Sequence, residues 1–535
     1  MMPFSACRFS LVAIFLLLAE RCVNAQSFTD FLVVGGGTSG CIMAARLCSA
    51  FPNLHVTLLE RGLPRSPQSN FLVSAPRNLF NSWSDRSITE FFESLPDAGL
   101  QGRTTPTLTG ITLGGSSAIN GMQWTVPMSG SVEEWGIRGL STETAAPYYR
   151  RAYDTVGFGP PQAPLQYADD YVTAALSAGF SSSDDPISQP ARSVWQNRLA
   201  LDANFRRNDA CSAYVSPALS SSCARNLAVV QGVTATKIVM SDLSGGGKVA
   251  VAVDTISSSD RSTVHRYWAR REVLITSGPY GSPKLLQLSG IGSASTLAAA
   301  GVVQTLNLPV GERSVTRASA GVESTYTGVP DEPANNVEAV NSAQQREIWD
   351  SGNGGLLGTP VTAANGRAGE DGYFTVGFIP FFPGRPELRT GCYHNTNSTG
   401  FVRIRDSNPF STPLLNNNLL SDSEDVQRLV RCLNAAAEIH RKFPASFQMT
   451  FRSPAGGVAT ADYVKRTANT GAHIVGGCPV GDVLTDELRV KGVESLRVVD
   501  ASSIRTMPKS AGPAASVYML AEYMADRIIE DHSGR

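Results

Sequence analysis

Three glycines near the start of the chain have the spacing of a loop that binds a dinucleotide. They follow an apolar segment, 31–34, and precede a segment with helical spacing. The residues predicted to contact the ligand in this loop are Gly35, Gly37, Thr38, Ser39 and Gly40. Such glycines allow a tight turn and close approach of the backbone to a pyrophosphate, and the helix N-terminus supplies free N–H groups to the anion. Glu60 ends the next apolar segment, about 20 residues beyond the loop, where a carboxylate accepts hydrogen bonds from a ribose. A glycine-rich turn without a ligand is the alternative.

Two further loops are rich in small residues. Residues 113–120 read Leu-Gly-Gly-Ser-Ser-Ala-Ile-Asn, which could place N–H groups and hydroxyls against a flat or anionic ligand, or could form an ordinary turn. Residues 278–292 join an apolar segment to a helical one that begins with Ser282 and Pro283. Because proline suits the first turn of a helix, this loop is predicted to lead from a strand into a helix.

The elements that position these loops alternate between strands and helices, which indicates one α/β domain made from separated parts of the chain. The strands predicted for this domain are 31–34, 54–60, 227–229, 236–240 and 271–276. The segments 373–382 and 400–405 instead alternate apolar and polar residues, as half-buried antiparallel strands do. Residues 422–443 and 515–529 have helical spacing. The chain is therefore expected to leave the first domain and return to it.

Length and charge limit the kinds of partner. A chain of 535 residues is long enough for two or more domains, and a formal net charge of -1 provides no basic surface for nucleic acid. A small-molecule substrate is the expected partner. Residues 1–25 resemble a secretory signal peptide with an apolar run at 11–19, and an uncleaved signal anchor is the alternative. No later segment is apolar enough for a membrane helix, so a secreted or lumenal protein that is free of the membrane after signal cleavage is predicted.

The cysteines and one sequon indicate covalent modifications. Cys7 and Cys22 lie in the signal, so seven of nine cysteines remain. Cys211 and Cys223 flank a short segment and are the best candidates for a disulfide bond. No spacing of Cys and His typical of zinc ligands occurs, so no metal site is predicted. The sequon at Asn397 predicts a glycan.

Several segments, in order, resemble the signatures of the glucose-methanol-choline (GMC) family of FAD-dependent oxidoreductases. Residues 110–133 resemble its first signature, 278–292 its second, and 473–478 with 488–502 its closing region. The resemblance spans nearly the whole mature chain. It implies an α/β fold (α+β overall), in which a Rossmann-like FAD-binding domain is joined to an antiparallel-sheet substrate-binding domain. The FAD-binding domain is expected at 26–130, 223–310 and 470–535, and the substrate-binding domain at 131–222 and 311–469.

The resemblance also implies which residues would hold FAD. The ADP half would lie against the glycine loop and Glu60, the adenine against Val233, and the pyrophosphate and ribityl chain against Asp500 and Ala501. The residues implied for the flavin side are Leu113, Gly115, Ser116, Asn120 and Gly121. Residues 61–130 contain no His, so attachment of FAD through histidine is not expected and the cofactor should be non-covalent.

Oxidation of an alcohol to a carbonyl removes a proton from O–H and a hydride from C–H. The hydride would pass to N5 of the flavin, and a group with a pKa near neutrality, such as His, would take the proton. Of six histidines, only His473 lies in a segment that matches the family, so it is predicted as the general base, with a structural role as the alternative. Trp124, Tyr373, Phe374 and Phe378 suggest an apolar substrate pocket, or else ordinary core packing.

Two positions depart from the family pattern. Ile111 replaces a polar residue that usually follows the first glycine of the signature. Ala514 stands where relatives generally carry a second His or Asn that holds the substrate oxygen, and alanine can neither accept a proton nor donate a hydrogen bond. Ser510 or Ser516 could substitute, or the site could work with one base.

The predicted function is the FAD-dependent oxidation of a small primary or secondary alcohol. The change at Ala514 leaves other functions open. One is a hydroxynitrile lyase-like protein that cleaves a cyanohydrin without net redox. Another is a fatty-acid photodecarboxylase-like flavoenzyme. The last is a binding or structural FAD protein without turnover.

Overall fold

The structure, a computed structural model, describes residues 28–159, 165–377 and 386–534. The predicted signal peptide, Phe378 and the end of the predicted strand 373–382 lie outside the described residues. The strands are β1 Phe28–Val34, β2 Val56–Glu60, β3 Thr89–Glu93, β4 Pro106–Gly110, β5 Phe158–Gly159, β6 Ser181–Ser182, β7 Arg192–Gln196, β8 Leu199–Ala200, β9 Leu227–Gln231, β10 Val233–Asp242, β11 Lys248–Ser257, β12 Val264–Ile275, β13 Ser314–Thr325, β14 Ala364–Ala368, β15 Gly372–Gly377, β16 Glu387–His394, β17 Phe401–Arg403, β18 Leu414–Asn416, β19 Thr450–Ser453, β20 Asn469–Gly476, β21 Val493–Glu494 and β22 Leu496–Val498. The α-helices are α1 Thr38–Ala50, α2 Pro67–Ser74, α3 Leu79–Ser84, α4 Thr142–Val156, α5 Ala168–Ser177, α6 Ser216–Leu219, α7 Gly278–Leu288, α8 Ala294–Ala299, α9 Val337–Val340, α10 Ala343–Asp350, α11 Ser423–Arg441, α12 Ala461–Thr467 and α13 Ala514–Ser533.

The first sheet has a parallel centre that carries the glycine loop. Among the described residues its strands run in the order β10, β11, β12, β1, β2, β9, with β21 beside β11 and β22 beside β12. β1 is parallel to β12 and β2, and β2 is parallel to β9. β2 and all of β1 beyond Phe28 are buried, as expected for parallel strands that are covered on both faces. Helix α1 connects β1 to β2, so this unit has the predicted Rossmann-like arrangement.

The second sheet is almost entirely antiparallel. Its described strands run in the order β19, β13, β16, β15, β14, β7, β6, with β20 beside β13, and β6 with β7 is the parallel pair. One face packs against α11 through buried apolar residues such as Phe374, Leu429 and Leu433. Asp422 caps the N-terminus of α11, since its side chain accepts a hydrogen bond from the N–H of Glu424 at 2.7 Å. The two sheets confirm the predicted fold class.

The segment 131–222, which we predict to belong to the substrate-binding domain, contributes buried residues to both cores. Buried side chains of 132–158 and 210–218 pack with the first sheet and α13, whereas those of 165–180 pack with α11. Helix α4 starts with a capping box at Ser141. Across the described ranges, none of the helices has both the length and the apolar character required to cross a membrane.

The disulfide bonds differ from the predicted pair. Cys211 is bonded to Cys41 and Cys223 to Cys48, so the prediction of a bond between Cys211 and Cys223 is wrong. Cys41 and Cys48 are seven residues apart on α1 and therefore lie on one face, about two turns apart. That face packs on the segment that carries both partners. The third bond joins Cys392 and Cys432, and Cys478 is a free, buried thiol.

Candidate active site

The loop between β1 and α1 has no room for side chains at two of its three motif glycines. A Cβ atom at Gly35 would lie 2.6 Å from the carbonyl oxygen of Thr276, and one at Gly40 would lie 1.9 Å from that of Gly35. Gly35 also has a φ of +116°, which side-chain-bearing residues rarely adopt. A Cβ atom at Gly37 would meet nothing closer than 3.8 Å. The chain therefore leaves open space in front of α1.

Hydrogen-bond donors that could bind an anion face this open space. Helix α1 begins at Thr38, directly after Gly37, without a side-chain cap and without an acidic residue in its first turn, so its first N–H groups are available. Ser39 is buried, and its Oγ has no hydrogen-bond partner within the described residues. These groups fit the pyrophosphate of FAD.

Glu60 lies beside the same loop at the end of β2. Its Oε2 accepts from the N–H of Gly36 at 2.9 Å, and its Oε1 accepts from that of Gly62 at 2.7 Å. Burial raises the pKa of this carboxyl group. The carboxylate therefore holds the turn together, a role that its spacing does not predict, and its contact with ribose remains a prediction. Val233 begins β10 nearby, since the N–H of Gly232 donates to the carbonyl of Gly62 at 2.9 Å.

The second loop, 113–120, lies directly on the first. The N–H of Gly114 donates to the carbonyl of Gly36 at 2.8 Å. A Cβ atom at Gly115 would lie 2.7 Å from the Cα of Gly37, and one at Gly36 would lie 2.8 Å from a side-chain carbon of Leu113. The two loops thus form one continuous surface, as needed if both contact the same cofactor.

Arg207 supports the far end of the second loop, and the sequence analysis missed it. Its Nη1 donates to the carbonyl oxygen of Asn120 at 2.7 Å and to Oδ1 of the same residue at 3.0 Å, while its Nε donates to the carbonyl of Val73 at 2.9 Å. Burial lowers the pKa of Arg207 to about 10, which leaves it charged at neutral pH. An arginine in a polar segment is ordinarily exposed, so the pattern contains no signal for this role. Near Asn120, Ser116 is exposed and Gly121 is half-buried.

Asp500 joins the closing region of the chain to the second signature. Its Oδ2 accepts from the N–H of Gly278 at 2.8 Å and from Oγ of Ser282 at 2.5 Å, and its Oδ1 accepts from the N–H of Ser502 at 2.7 Å. Burial raises the pKa of the Asp500 carboxyl group. Ala501 follows in a short 3-10 turn and is 8% exposed. The glycine loop, the second loop and the closing region therefore adjoin one another, through the contacts of Gly35 with 276–277, of Gly115 with Gly37 and of Asp500 with Gly278.

His473 lies in an irregular part of β20. The register with β13 shifts there, so that residues 471–473 oppose the single residue Arg317. Ala472 has a φ of +54°, in the left-handed region that alanine rarely adopts. Such irregularities turn a side chain away from the regular direction of a strand and are frequent beside active sites.

The ring of His473 lies between Tyr393 and the loop 508–513. Its centroid is 5.0 Å from that of Tyr393, and a Cβ atom at Gly512 would lie 3.1 Å from its Nε2. Its Nδ1 is buried without a hydrogen-bond partner in the described part of the chain. Burial, and to a lesser degree the charge of Arg317, lower the pKa of His473 to about 3. The imidazole is therefore neutral at physiological pH and can accept a proton.

Arg317 holds the loop 508–513 beside His473. It is fully buried, and its Nη1 donates to the carbonyl of Ser510 at 2.6 Å while its Nη2 donates to that of Pro508 at 2.7 Å. The guanidinium therefore fixes the distance between β13 and the segment that precedes α13. No sequence pattern points to this role of Arg317, since a single arginine in a strand segment is ordinarily exposed.

Both serines that could replace the missing residue at Ala514 are engaged by the protein. Oγ of Ser510 donates to the carbonyl of Gly512 at 2.7 Å. Ser516 is fully buried, with its Oγ 3.2 Å from the hydroxyl of Tyr149. Ala514 itself is half-buried at the first turn of α13. Neither serine takes the place of the second polar residue.

Two of the aromatic residues suggested for a substrate pocket lie in cores. Trp124 is fully buried with its ring centroid 4.7 Å from that of Phe158, and Phe374 is fully buried with its centroid 5.5 Å from that of Phe180. Trp124 and Phe374 are therefore core residues, which is the alternative interpretation given above. Tyr373 is also buried, but it lies on the opposite face of the second sheet from Phe374, toward His473.

Comparison with known proteins identifies the family. Models described as GMC oxidoreductase match residues 29–316 and 396–521. Relatives include Dehydrogenase citC of Monascus ruber, 27% identical over 95% of this chain and 97% of that protein. Another is an oxygen-dependent choline dehydrogenase of Photobacterium profundum, 27% identical over 94% of this chain and 93% of that protein.

Solved structures share the fold over almost the whole chain. An FAD-dependent oxidoreductase from Chaetomium thermophilum has a TM-score of 0.80 at 22% identity and covers 94% of this chain and 100% of its own. Pyridoxine 4-oxidase from Mesorbium loti has a TM-score of 0.78 at 22% identity with the same coverage. The family models together match most of the chain, which therefore belongs to the GMC oxidoreductase family and is an FAD-dependent oxidoreductase that acts on CH–OH donors.

Proposed function

We propose that this enzyme oxidises the CH–OH group of a small alcohol to a carbonyl, with His473 as the acceptor of the hydroxyl proton. The observation that supports this most strongly is the placement of His473, which an irregular register turns out of β20 and whose buried Nδ1 has no partner in the described residues. FAD, held non-covalently, supplies the acceptor for the hydride at N5. The names of relatives and structural neighbours include choline, formate and aryl-alcohol enzymes, which agrees with a small substrate.

The chain's own residues bind the cofactor and move one proton. The uncapped start of α1 and Ser39 would hold the pyrophosphate, and Glu60 would hold the ribose. The imidazole of His473 takes the O–H proton as the carbonyl forms. With a pKa of about 3 the imidazole is a weak base, and the proton that it takes is released readily before the next turnover.

Secretion is proposed on independent grounds. Residues 1–25 have the composition of a signal peptide, and six cysteines form three disulfide bonds within the described residues. Such bonds persist in oxidising compartments and are rare in the cytosol. Asn397 of the sequon is exposed, so a glycan can be attached there.

The test is to mix the FAD-loaded enzyme anaerobically with a panel of alcohols and to follow the flavin absorbance at about 450 nm. Bleaching by an alcohol is the expected result. His473→Gln should keep FAD and lose at least about a hundredfold in the rate of bleaching. His265→Ala is the matched control, because His265 is exposed and outside the site, and it should bleach as the wild type does.

Other outcomes would redirect or overturn the proposal. Aldehyde release from a cyanohydrin without bleaching would indicate a lyase, and alkane release from a fatty acid under blue light would indicate a decarboxylase. Full turnover by His473→Gln would exclude His473 as the base. A protein that takes up no FAD would contradict every flavin-dependent function.

A further inference from the structure

A row of arginine and tyrosine side chains lies on the face of the second sheet that looks toward His473. Arg367 pairs with Tyr373 across β14 and β15, and Tyr373 pairs with Tyr393 across β15 and β16. Tyr393 in turn pairs with Ser319 of β13. Directly opposite residues share one face of a sheet, and Arg317, two residues before Ser319, shares it too. We name Arg317, Arg367, Tyr373 and Tyr393 the arginine–tyrosine cluster.

Within the described residues, no carboxylate forms a salt bridge with the two arginines of this cluster. Arg317 is 0% and Arg367 is 3% exposed. Arg317 donates to two backbone carbonyls, and Arg367 donates to the carbonyls of Gln189 and Val126, both at 2.6 Å. Among the described residues neither arginine forms a salt bridge, and the internal segments 160–164 and 378–385 contain no Asp or Glu. Buried charges in proteins are ordinarily paired, so this arrangement is unusual.

Two acidic residues, Glu323 and Glu370, lie on or beside this sheet face. Glu323 is on the same face, but six residues along β13 from Arg317, which is about 20 Å in a strand. It already lies 3.7 Å from the guanidinium of Arg389. Glu370, exposed in the turn after β14, acts electrostatically on Arg367 and Tyr373. Neither acid provides a partner for Arg317.

Polar atoms in and beside the cluster also lack hydrogen-bond partners. Within the described residues these buried atoms are Nε of Arg317, Nε of Arg367 and Nδ1 of His473. A buried polar atom without a partner costs about 1–3 kcal/mol, so several in one place indicate a site that is completed by a polar ligand.

We propose that the substrate oxidised at His473 is a 2-hydroxycarboxylate, whose carboxylate is held by the charge of Arg317 and by its Nε–H, which has no partner within the described residues. The inference rests on the alcohol oxidation proposed above. Arg317 opposes the segment 471–473 and its charge acts on the His473 ring, so we expect the carboxylate and the reacting carbinol to be close together in the substrate. A quaternary ammonium alcohol such as choline is disfavoured by the same charge.

The reaction is balanced without any further reactant. The carbinol carbon loses a hydride to oxidised FAD, the O–H proton passes to His473, and a C=O bond forms, so the product is a 2-oxocarboxylate. The carboxylate keeps its charge throughout. Its negative charge offsets that of Arg317, which by itself lowers the pKa of His473, and the bound substrate thereby makes the imidazole a better base.

The experiment compares substrates of equal shape and different charge on the FAD-loaded enzyme. Lactate, glycolate and mandelate are compared with their neutral amides and with choline by anaerobic bleaching. Each acid is expected to give a second-order rate constant at least about tenfold above that of its amide. Thermal unfolding of the holoenzyme measures binding without turnover. Oxalate should raise the unfolding midpoint Tm, and its neutral analogue oxamide should not.

Variants of Arg317 test the residue itself. Arg317→Met should retain FAD and lose the preference for acids over amides, whereas Arg317→Lys should retain most of it. If Arg317→Met does not fold, the comparison of acids with amides on the wild-type enzyme still tests whether a carboxylate is preferred. Neutral alcohols and amides that bleach the flavin as fast as the acids would overturn this inference and leave the proposed function intact. Absence of bleaching by every alcohol would instead contradict the proposed function.

Discussion

Gly37 and Gly40 are expected to respond differently to the same added methyl group. Gly40→Ala places a Cβ atom 1.9 Å from the carbonyl oxygen of Gly35 and 2.8 Å from Oγ1 of Thr276. Alanine is favoured over glycine inside a helix by about 1 kcal/mol, but overpacking costs about 3 kcal/mol. Gly40→Ala should therefore lower the free energy of unfolding by about 2 kcal/mol. Gly37→Ala meets no protein atom closer than 3.8 Å and should lower it by less than about 1 kcal/mol, the cost of a poorer N-cap.

FAD affinity should separate the two variants further. A methyl group at Gly37 fills the space predicted for the pyrophosphate, so the Kd for FAD should rise at least about tenfold, or about 1.4 kcal/mol, in a protein of nearly normal stability. Urea unfolding of the FAD-free protein, followed by tryptophan fluorescence, measures the first effect. Titration with FAD, followed by quenching of flavin fluorescence, measures the second.

Each variant can refute a different part of the reasoning. Normal FAD affinity in Gly37→Ala would mean that the pyrophosphate does not lie in front of α1. A normal urea midpoint in Gly40→Ala would mean that α1 and the turn at Gly35 are not packed as closely as described.

Three further outcomes are expected. The kcat/KM of the wild type should stay level as pH falls below neutral and decline only toward pH 3, because His473 must be neutral to accept a proton and its pKa is about 3; a decline centred near 6.5 in the pH profile would contradict this. Gly512→Ala should lower kcat at least about tenfold with an unchanged flavin spectrum, because its Cβ would lie 3.1 Å from Nε2 of His473; an unchanged kcat would show that this contact is unimportant. Replacing both Cys41 and Cys211 by Ala should lower the free energy of unfolding in urea by about 5 kcal/mol, since the bond closes a loop of 170 residues; a loss below about 1 kcal/mol would argue against the bond.

The parts of the fold that were predictable depend on local patterns. The apolar run 31–34 and the glycines after it form β1 and its turn, because a buried parallel strand and a close helix leave few alternatives. Residues 422–443, which have helical spacing, form α11, and the alternating segment from 373 forms β15. Each of these elements could be predicted because its pattern of apolar and polar residues is local, within a few neighbouring residues.

Contacts between distant segments were not predictable in the same way. The partners of Cys211 and Cys223 are set by which face of α1 packs on them, and closeness in sequence was a misleading guide. Arg207 and Arg317 support the two halves of the site by donating to backbone carbonyls, which have no sequence signature. The turn of His473 toward Gly512 depends on a register shift that appears only once β13 and β20 are paired.

The two disulfide bonds on α1 have a consequence for how the enzyme is made. Their partners are synthesised 170 and 175 residues after the helix, which takes on the order of ten to thirty seconds at ordinary rates of translation. The helix that receives the cofactor is therefore locked in place only after residue 223 has emerged and both thiol pairs have been oxidised. In a host compartment without an oxidant these two bonds should not form, and packing alone would then hold α1 against the segment 211–223.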